Sequence, residues 1–246
     1  MEKGKTYIMS NTPPSEKGLI RIGIDGPAGA GKTTLARRLS NRLGVRYVDT
    51  GAMYRALTLV ALEAGIDPSN EDEVYSIAEK IEIDLEPPKG DRDEQAVFVD
   101  GRDVTAGIRS PSVNKWVSVV AKHPRVRGLM VEAQQSMSGE SVIMEGRDIC
   151  TRVMPYAELK IFLTADFDER ARRRRRELLE RGYSPSVQEV EAEMAARDTI
   201  DSGRETDPLR PAEDSVILDS TGMTPDEVTR AVLRLCEDWS DCSIGS

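Results

Sequence analysis

Histidine is nearly absent from this 246-residue chain, where His123 stands alone. One imidazole cannot build a multi-histidine metal centre, and it argues against Ser-His-Asp or Cys-His nucleophilic catalysis. Cysteine is scarce as well. Cys150, Cys236 and Cys242 are too few and too scattered for a disulfide framework or a zinc cluster. Positive charge is in deficit: 34 Lys and Arg face 43 Asp and Glu, a net −9. Polyanions reward basic proteins, so this balance argues against a general binder of nucleic acid or anionic membrane. Long apolar runs are missing; the richest, near Ala56 to Ala64, is bounded by Arg55 and Glu63 and is too short to span a bilayer. The start carries no secretory h-region, so the expected compartment is the cytoplasm, with no membrane and no nucleic acid as partner.

What remains is ordinary globular composition, 39% hydrophobic and 31% charged, in a chain long enough for a substantial core. Residues 1–18 and 240–246 read as a disordered leader and tail, which leaves a folded part at 19–239. The apolar run Leu19–Ile24 predicts a buried strand, and Leu35, Leu39 and Leu43 predict a helix stopped at Gly44. Further strands are expected at Tyr47–Val48, Val142–Met144, Leu159–Leu163 and Val216–Leu218, with helices between them and a last one from Pro225 to Trp239. Strands alternating with helices predict an α/β fold with a doubly wound, parallel, five-stranded sheet. Between them, Ile81, Ile83 and Leu85 alternate, and Ala96–Val104 contains Asp100-Gly101. That pattern predicts a small antiparallel meander inserted into the main fold. Residues 63–103 hold 14 acidic and 4 basic side chains, so the net acidity belongs to the insertion and the helix beside it.

Gly26-Pro27-Ala28-Gly29-Ala30-Gly31-Lys32-Thr33-Thr34 follows the first strand and opens a helix. This is a phosphate-binding P-loop in its required context. The glycines let backbone N–H groups turn toward an anion, Lys32 adds charge at the β/γ-phosphates, and Thr33 offers a hydroxyl to Mg²⁺. The motif implies a nucleoside triphosphate. The Asn-Lys-x-Asp string that reads guanine is absent, and the strand near Met144 runs into Glu145-Gly146-Arg147-Asp148 rather than two acids.

The strings Ile24-Asp25-Gly26-Pro27, Asp49-Thr50-Gly51-Ala52-Met53-Tyr54-Arg55, Glu145-Gly146-Arg147-Asp148 and Arg197-Asp198-x-x-Asp201-x-x-Arg204 carry a resemblance. From about Ile20 to Trp239 the chain resembles the bacterial cytidylate kinases, members of the nucleoside monophosphate kinase group. The resemblance implies transfer of the γ-phosphate of ATP to CMP or dCMP by a monomer. It also implies an acceptor-binding insertion at about 52–123 and a lid at about 167–186. By the same analogy Arg55, Arg147 and Arg204 hold the acceptor phosphate and the transferring group, with Lys32, Arg147, Arg173 and Arg204 catalytic. Ser118, Arg127 and Asp148 would read cytosine, Arg197 and Asp201 would hold the ribose, and Thr50 and Arg109 would complete the pocket. Spacing alone favours an ordinary i,i+4 pair for Arg197 and Asp201, a helix cap for Asp148, and core positions for Met53 and Tyr54. Glu145 is expected to act through a metal-bound water. Cys150 stands where the family string continues with Gly; it is expected to pack as a small buried residue, near enough to the site to meet oxidants.

A run of arginines, 170 and 172–176, follows Asp166 and Glu169, whose spacing is that of a capping box. No aromatic residues interleave it, which weakens a nucleic-acid reading. As a lid helix it would offer Arg170 and Arg173 to the ATP phosphates, bend at Gly182-Tyr183-Ser184-Pro185, and stay open through self-repulsion until nucleotide binds. Two rivals stand beside this reading. One is a kinase for another monophosphate such as UMP or AMP, or for a hydroxyl acceptor, which would need Asp49 or Asp148 as its base. The other is a non-catalytic nucleotide sensor that uses the arginine helix to bind RNA or a partner.

Overall fold

The structure, a computed structural model, describes residues 6–7, 19–87 and 95–244. In chain order the elements are β1 (Thr6–Tyr7), β2 (Arg21–Asp25), α1 (Lys32–Leu43), β3 (Arg46–Asp49), α2 (Thr50–Glu63), α3 (Glu71–Ala78), β4 (Ile83–Glu86), β5 (Ala96–Val99) and β6 (Arg102–Asp103). They continue with α4 (Pro111–Ala121), α5 (Pro124–Ser136), β7 (Val142–Glu145), β8 (Leu159–Thr164), α6 (Phe167–Glu180), α7 (Val187–Gly203), β9 (Val216–Asp219) and α8 (Pro225–Ile244). The main sheet runs β1-β9-β8-β2-β7-β3. Its five long strands are parallel, as expected.

Two boundaries differ from the sequence reading. Thr6–Tyr7 pairs antiparallel with β9, so part of the expected leader is a sixth strand; β9 would otherwise present an unpaired edge. The last helix runs on to Ile244, past the expected tail boundary, because no Gly or Pro interrupts it before Gly245. The rest of the expected leader, and Gly245-Ser246, lie outside the described residues.

Alternation along the strands sorts the core into two layers. In β7, Ile143 packs with Leu35 and Leu39 of α1 and Val228 and Val232 of α8. Its neighbours Val142 and Met144 pack on the other face with Met53, Leu57, Val117 and Val126. Leu39 is fully buried, so Leu39→Ala would cost about 2–5 kcal/mol.

The meander forms as read, in the order β4-β5-β6. Asp100 (φ 50) and Gly101 (φ 76) both take the left-handed conformation that a two-residue hairpin turn requires. Leu85, Val97 and Val99 join the same apolar cluster as α2. Gln95 ties the meander to the sheet, accepting from Asp49 N at 3.0 Å and donating to Tyr47 O at 2.8 Å.

Helices α6 and α7 share a separate small core of Ala171, Leu178, Val190 and Met194, with Gly182 (φ 83) in the bend between them. Asp166 makes no side-chain cap, contrary to its capping-box spacing, and the Glu169 side chain that would reach back in such a box pairs instead with Arg172 and Arg173. The capping box of this region is Ser186 with Glu189, which starts α7. Arg170, Arg172, Arg173, Arg174 and Arg181 each have a carboxylate partner, which offsets the self-repulsion read from the arginine run.

Candidate active site

The chain leaves β2 and turns at Gly26 (φ +147), where a Cβ would lie 2.0 Å from the Leu163 carbonyl oxygen. No other residue fits there. The loop ends at Gly31, in left-handed conformation, from which α1 starts. Gly29, Ala30, Gly31, Lys32, Thr33 and Thr34 line a cavity of about 630 Å³, closed on other sides by Arg173, Arg174 and Arg176 of α6 and by Met223 and Pro225. The helix start brings a positive dipole end to this cavity, a natural seat for phosphate. Lys32 is buried, and its Nζ donates to Pro27 O at 2.8 Å. Burial, reinforced by the charge of Arg147 and opposed by Glu145, pushes its ammonium down to about 7.

Parallel register sets Asp49 level with Glu145 at the C-terminal ends of β3 and β7. Thr33 donates its hydroxyl to Glu145 Oε1 at 2.5 Å, and Tyr47 donates to the same oxygen at 2.9 Å. Burial, then the charge of Asp49, raises the Glu145 carboxyl, and Lys32 opposes the rise. A hydroxyl and a carboxylate oxygen this close make a hard-oxygen donor set that suits Mg²⁺. Among the described residues no cluster of three or more metal-ligating side chains occurs. The donor set therefore fits an ion held by one or two protein oxygens, water and substrate phosphate.

A second cavity, about 160 Å³, adjoins the first and is lined by Thr50, Arg55, Arg109, Ser118, Arg127, Arg147, Asp148, Arg197, Asp201 and Arg204. Every residue assigned to the acceptor from sequence thus comes together here, from α2, the 3-10 turn Gly107–Arg109, α4, α5, the loop after β7 and the end of α7. Lys32 and Thr33 line both cavities. The second cavity's lining holds nine Lys or Arg side chains and five Asp or Glu, so it carries surplus positive charge.

The pairing is selective. Asp49 accepts from Ala52 N at 3.0 Å and from Arg55 at 2.5 Å; burial alone would raise its pKa, but Arg55 and Arg109 outweigh that and hold it low. Asp148 is paired with the fully buried Arg127. Arg147 Nε donates to Asp201 at 2.8 Å, with Arg197 at 3.9 Å from the same carboxylate. Burial, then the charge of Arg147, lowers Arg197 to about 10. Arg204 lies just past the end of α7, with buried Nε and Nη2 that have no hydrogen-bond partner. Burial, then the charge of Arg127, pulls its pKa down. A buried, underpaired guanidinium in a cavity is a site prepared for an anion.

The two arginines of α6 expected at the ATP phosphates are engaged elsewhere. Arg170 lines neither cavity; it donates to Ala28 O at 3.1 Å, Ala165 O at 3.0 Å and Asp198 at 2.6 Å, so it clamps α6 to the P-loop. Arg173 borders the first cavity, but Glu169, Ala30 O and Ser220 already engage its guanidinium. Arg174, Glu177 and Arg181 line both cavities. Their i, i+3, i+7 spacing marks one helix face and could have been read from the sequence. Tyr54 is core, as read, and also lines the second cavity with a buried, unpartnered hydroxyl. Asn114, Val117 and Ala121 share the Ser118 face of α4 and line it too. Cys150 is 2% exposed and burial raises its thiol well above the ordinary range, which leaves it inert to oxidants.

Comparison with known proteins gives the fold's likeness and the chain's family. Against an uncharacterized protein from Eubacterium ventriosum the TM-score is 0.50 at 10% identity, covering 90% of this chain and 99% of that one, a likeness of fold alone. The cytidylate kinase of Geobacillus thermodenitrificans is 48% identical over 221 residues, 89% of this chain and 97% of the relative. That of Desulfitobacterium hafniense is 48% identical over 220 residues, covering 89% and 93%. The family model described as cytidylate kinase matches residues 22–238, and the chain belongs to the cytidylate kinase family.

Proposed function

We propose that the chain is an ATP-dependent (d)CMP kinase, forming ADP and CDP or dCDP. The carrying observation is that the P-loop Lys32 and the buried Asp148 carboxylate line one continuous site. The cytosine N4 amine is a hydrogen-bond donor that uracil lacks, and a buried carboxylate is its natural acceptor. A site built on such a bond rejects the analogue without it by up to about 10⁴-fold.

Transfer to a phosphate acceptor needs no general base, since a phosphate monoester has a second pKa of about 6. That fits a site in which Asp49 and Asp148, the carboxylates a hydroxyl acceptor would need as base, are both held by arginines. The chain's task is to bring two polyanions together and neutralise the charge that spreads over the transferring group. The P-loop and Lys32 hold the donor phosphates, with Arg174 and Arg181 facing them from the lid. Arg55, Arg147 and Arg204 hold the acceptor phosphate, Arg127 orients Asp148 against the base, and Arg197 with Asp201 seats the ribose. Tyr54 and Ser118 complete the base pocket. Thr33, and Glu145 directly or through water, would hold Mg²⁺, which when bound neutralises and orients the donor phosphates.

The lid is assigned to α6, α7 and their bend, and the acceptor-binding insertion to the segment from α2 through α4. The chain acts as a monomer, since one chain supplies the whole site. It works in the cytoplasm, where the free Cys150 and Cys236 would stay reduced. Among the described residues no helix is long and apolar enough to cross a membrane. The test is a coupled ADP-release assay with CMP, dCMP, UMP, AMP and shikimate. Turnover with CMP or dCMP at least tenfold above the others supports the proposal, and equal turnover with UMP or none with CMP overturns it.

A further inference from the structure

Asp148 occupies the N-cap position of a π-helical turn, Ile149–Val153, yet its side chain makes no capping hydrogen bond. Aspartate at such a position ordinarily turns its carboxylate back onto the first free N–H groups. Here another carboxylate takes that place. Asp25, at the end of β2, accepts from Ile149 N at 2.8 Å through Oδ1 and from Cys150 N at 2.8 Å through Oδ2. It is 1% exposed and lines neither cavity. The turn can come this close because β2 carries Gly23, where a Cβ would lie 2.7 Å from Cys150 Sγ.

We infer that Asp25 is a positioning residue for acceptor recognition: by capping the turn after Asp148 from outside, it frees the Asp148 carboxylate to face Arg127 and the acceptor base. This rests on the proposed CMP kinase function. The alternatives available to the chain show why a second carboxylate is needed. If Asp148 capped its own turn, its oxygens would be committed to backbone and withdrawn from the cavity. If nothing capped the turn, two buried N–H groups would go unsatisfied, which costs about 1–3 kcal/mol each. Asp25 also precedes Gly26 directly, so the residue that opens the donor loop fixes the acceptor-reading turn. Placing two carboxylates near each other in a buried site carries a cost. Burial, countered by the Cys150 N–H and reinforced by the charge of Asp148, pushes Asp25 up to about 6.

The experiment compares Asp25→Asn and Asp25→Ala with the wild type. It measures kcat and KM for CMP and for UMP, affinity for a non-hydrolysable ATP analogue, and thermal stability. Loss of a hydrogen bond to a charged group corresponds to about 10- to 100-fold. The CMP KM is therefore expected to rise at least about tenfold in Asp25→Ala, with the CMP-over-UMP preference falling by a similar factor and ATP-analogue affinity holding within about twofold. Asp25→Asn keeps one acceptor oxygen and should fall between. It carries the test if the alanine variant does not fold, joined by faster amide exchange at Ile149 and Cys150. An unchanged CMP-over-UMP preference in the asparagine variant, or equal losses for CMP and the ATP analogue, would overturn the inference. A wild-type protein idle with CMP would instead remove the functional proposal, and this inference with it.

Discussion

Arg127 and Asp148 form an ion pair at the acceptor cavity with both side chains nearly sealed from water, at 1% and 7% exposure. Neither can be removed alone without stranding the other. Asp148→Ala is expected to lower stability by about 3–5 kcal/mol, as for other broken buried pairs, softened by Asp207, which lies 3.5 Å from Arg127 Nε. CMP turnover should fall at least about 100-fold, while ATP-analogue affinity is retained. Thermal melts and coupled assays on one preparation check both halves; unchanged CMP turnover would refute the cytosine-reading role.

Arg204 should behave in the opposite way. Its Nε and Nη2 are buried without partners, and Arg127 stands near enough to repel it. Arg204→Ala is expected to raise the melting temperature of the nucleotide-free protein by a few degrees, roughly 2–4 °C for about 1 kcal/mol in a chain of this size. The same change should weaken CMP binding by about 100-fold, since it removes a charge-assisted contact to phosphate. A melting temperature that falls would contradict the account of an underpaired cation.

Lys32 ties donor binding to pH. Its ammonium is pushed down to about 7 from an ordinary 10.5, so between those values the unfolded chain holds this proton more firmly. Its contribution to stability therefore rises with pH across that window. Donor phosphates favour the charged form, so binding an ATP analogue at pH 8 should take up a proton, and affinity should weaken as pH rises above 7. Calorimetry in two buffers of different ionisation enthalpy measures the uptake directly. Lys32→Ala should abolish both the uptake and phosphoryl transfer.

On the lid, Arg170 and Arg174 should separate stability from turnover. Arg170→Ala removes the clamp to Ala28 O and Asp198 and should cost about 1–3 kcal/mol of stability. Arg174→Ala should leave the melting temperature nearly unchanged and reduce kcat by roughly 100-fold, the scale for one stabilising group at a transferring phosphate. The reverse pattern would restore Arg170 to the phosphates.

The core of the fold and the P-loop were legible in the sequence because both rest on local patterns, whereas the residues of the second cavity were reached through the family resemblance, spacing alone reading Arg197 and Asp201 as an ordinary i,i+4 pair. The P-loop spacing and the Asp100-Gly101 turn each describe a few consecutive residues whose conformation follows from their own chemistry. The lid was less legible. In a run of consecutive arginines every face is basic, so composition cannot say which side chains turn inward; the direction of α6 against the P-loop decides that. Tyr54 is core, as read, but the reading missed its second role for a related reason. Its ring packs as a core residue while its hydroxyl reaches the cavity edge, and apolar periodicity registers only the ring. The role of Asp25 depends on β2 and the turn after β7 meeting across more than a hundred residues of sequence, which no local pattern records.

The surplus of cations around the acceptor cavity bears on how long the protein survives in the cell. The fold holds several guanidinium groups in burial with fewer carboxylates beside them, and phosphates held there as proposed would relieve that burden. Ligands that bind the native state alone stabilise it by mass action. A fall in the nucleotide pool would then do more than slow the enzyme. It would thin the population of intact molecules, so that the abundance of the protein follows the supply of what it consumes.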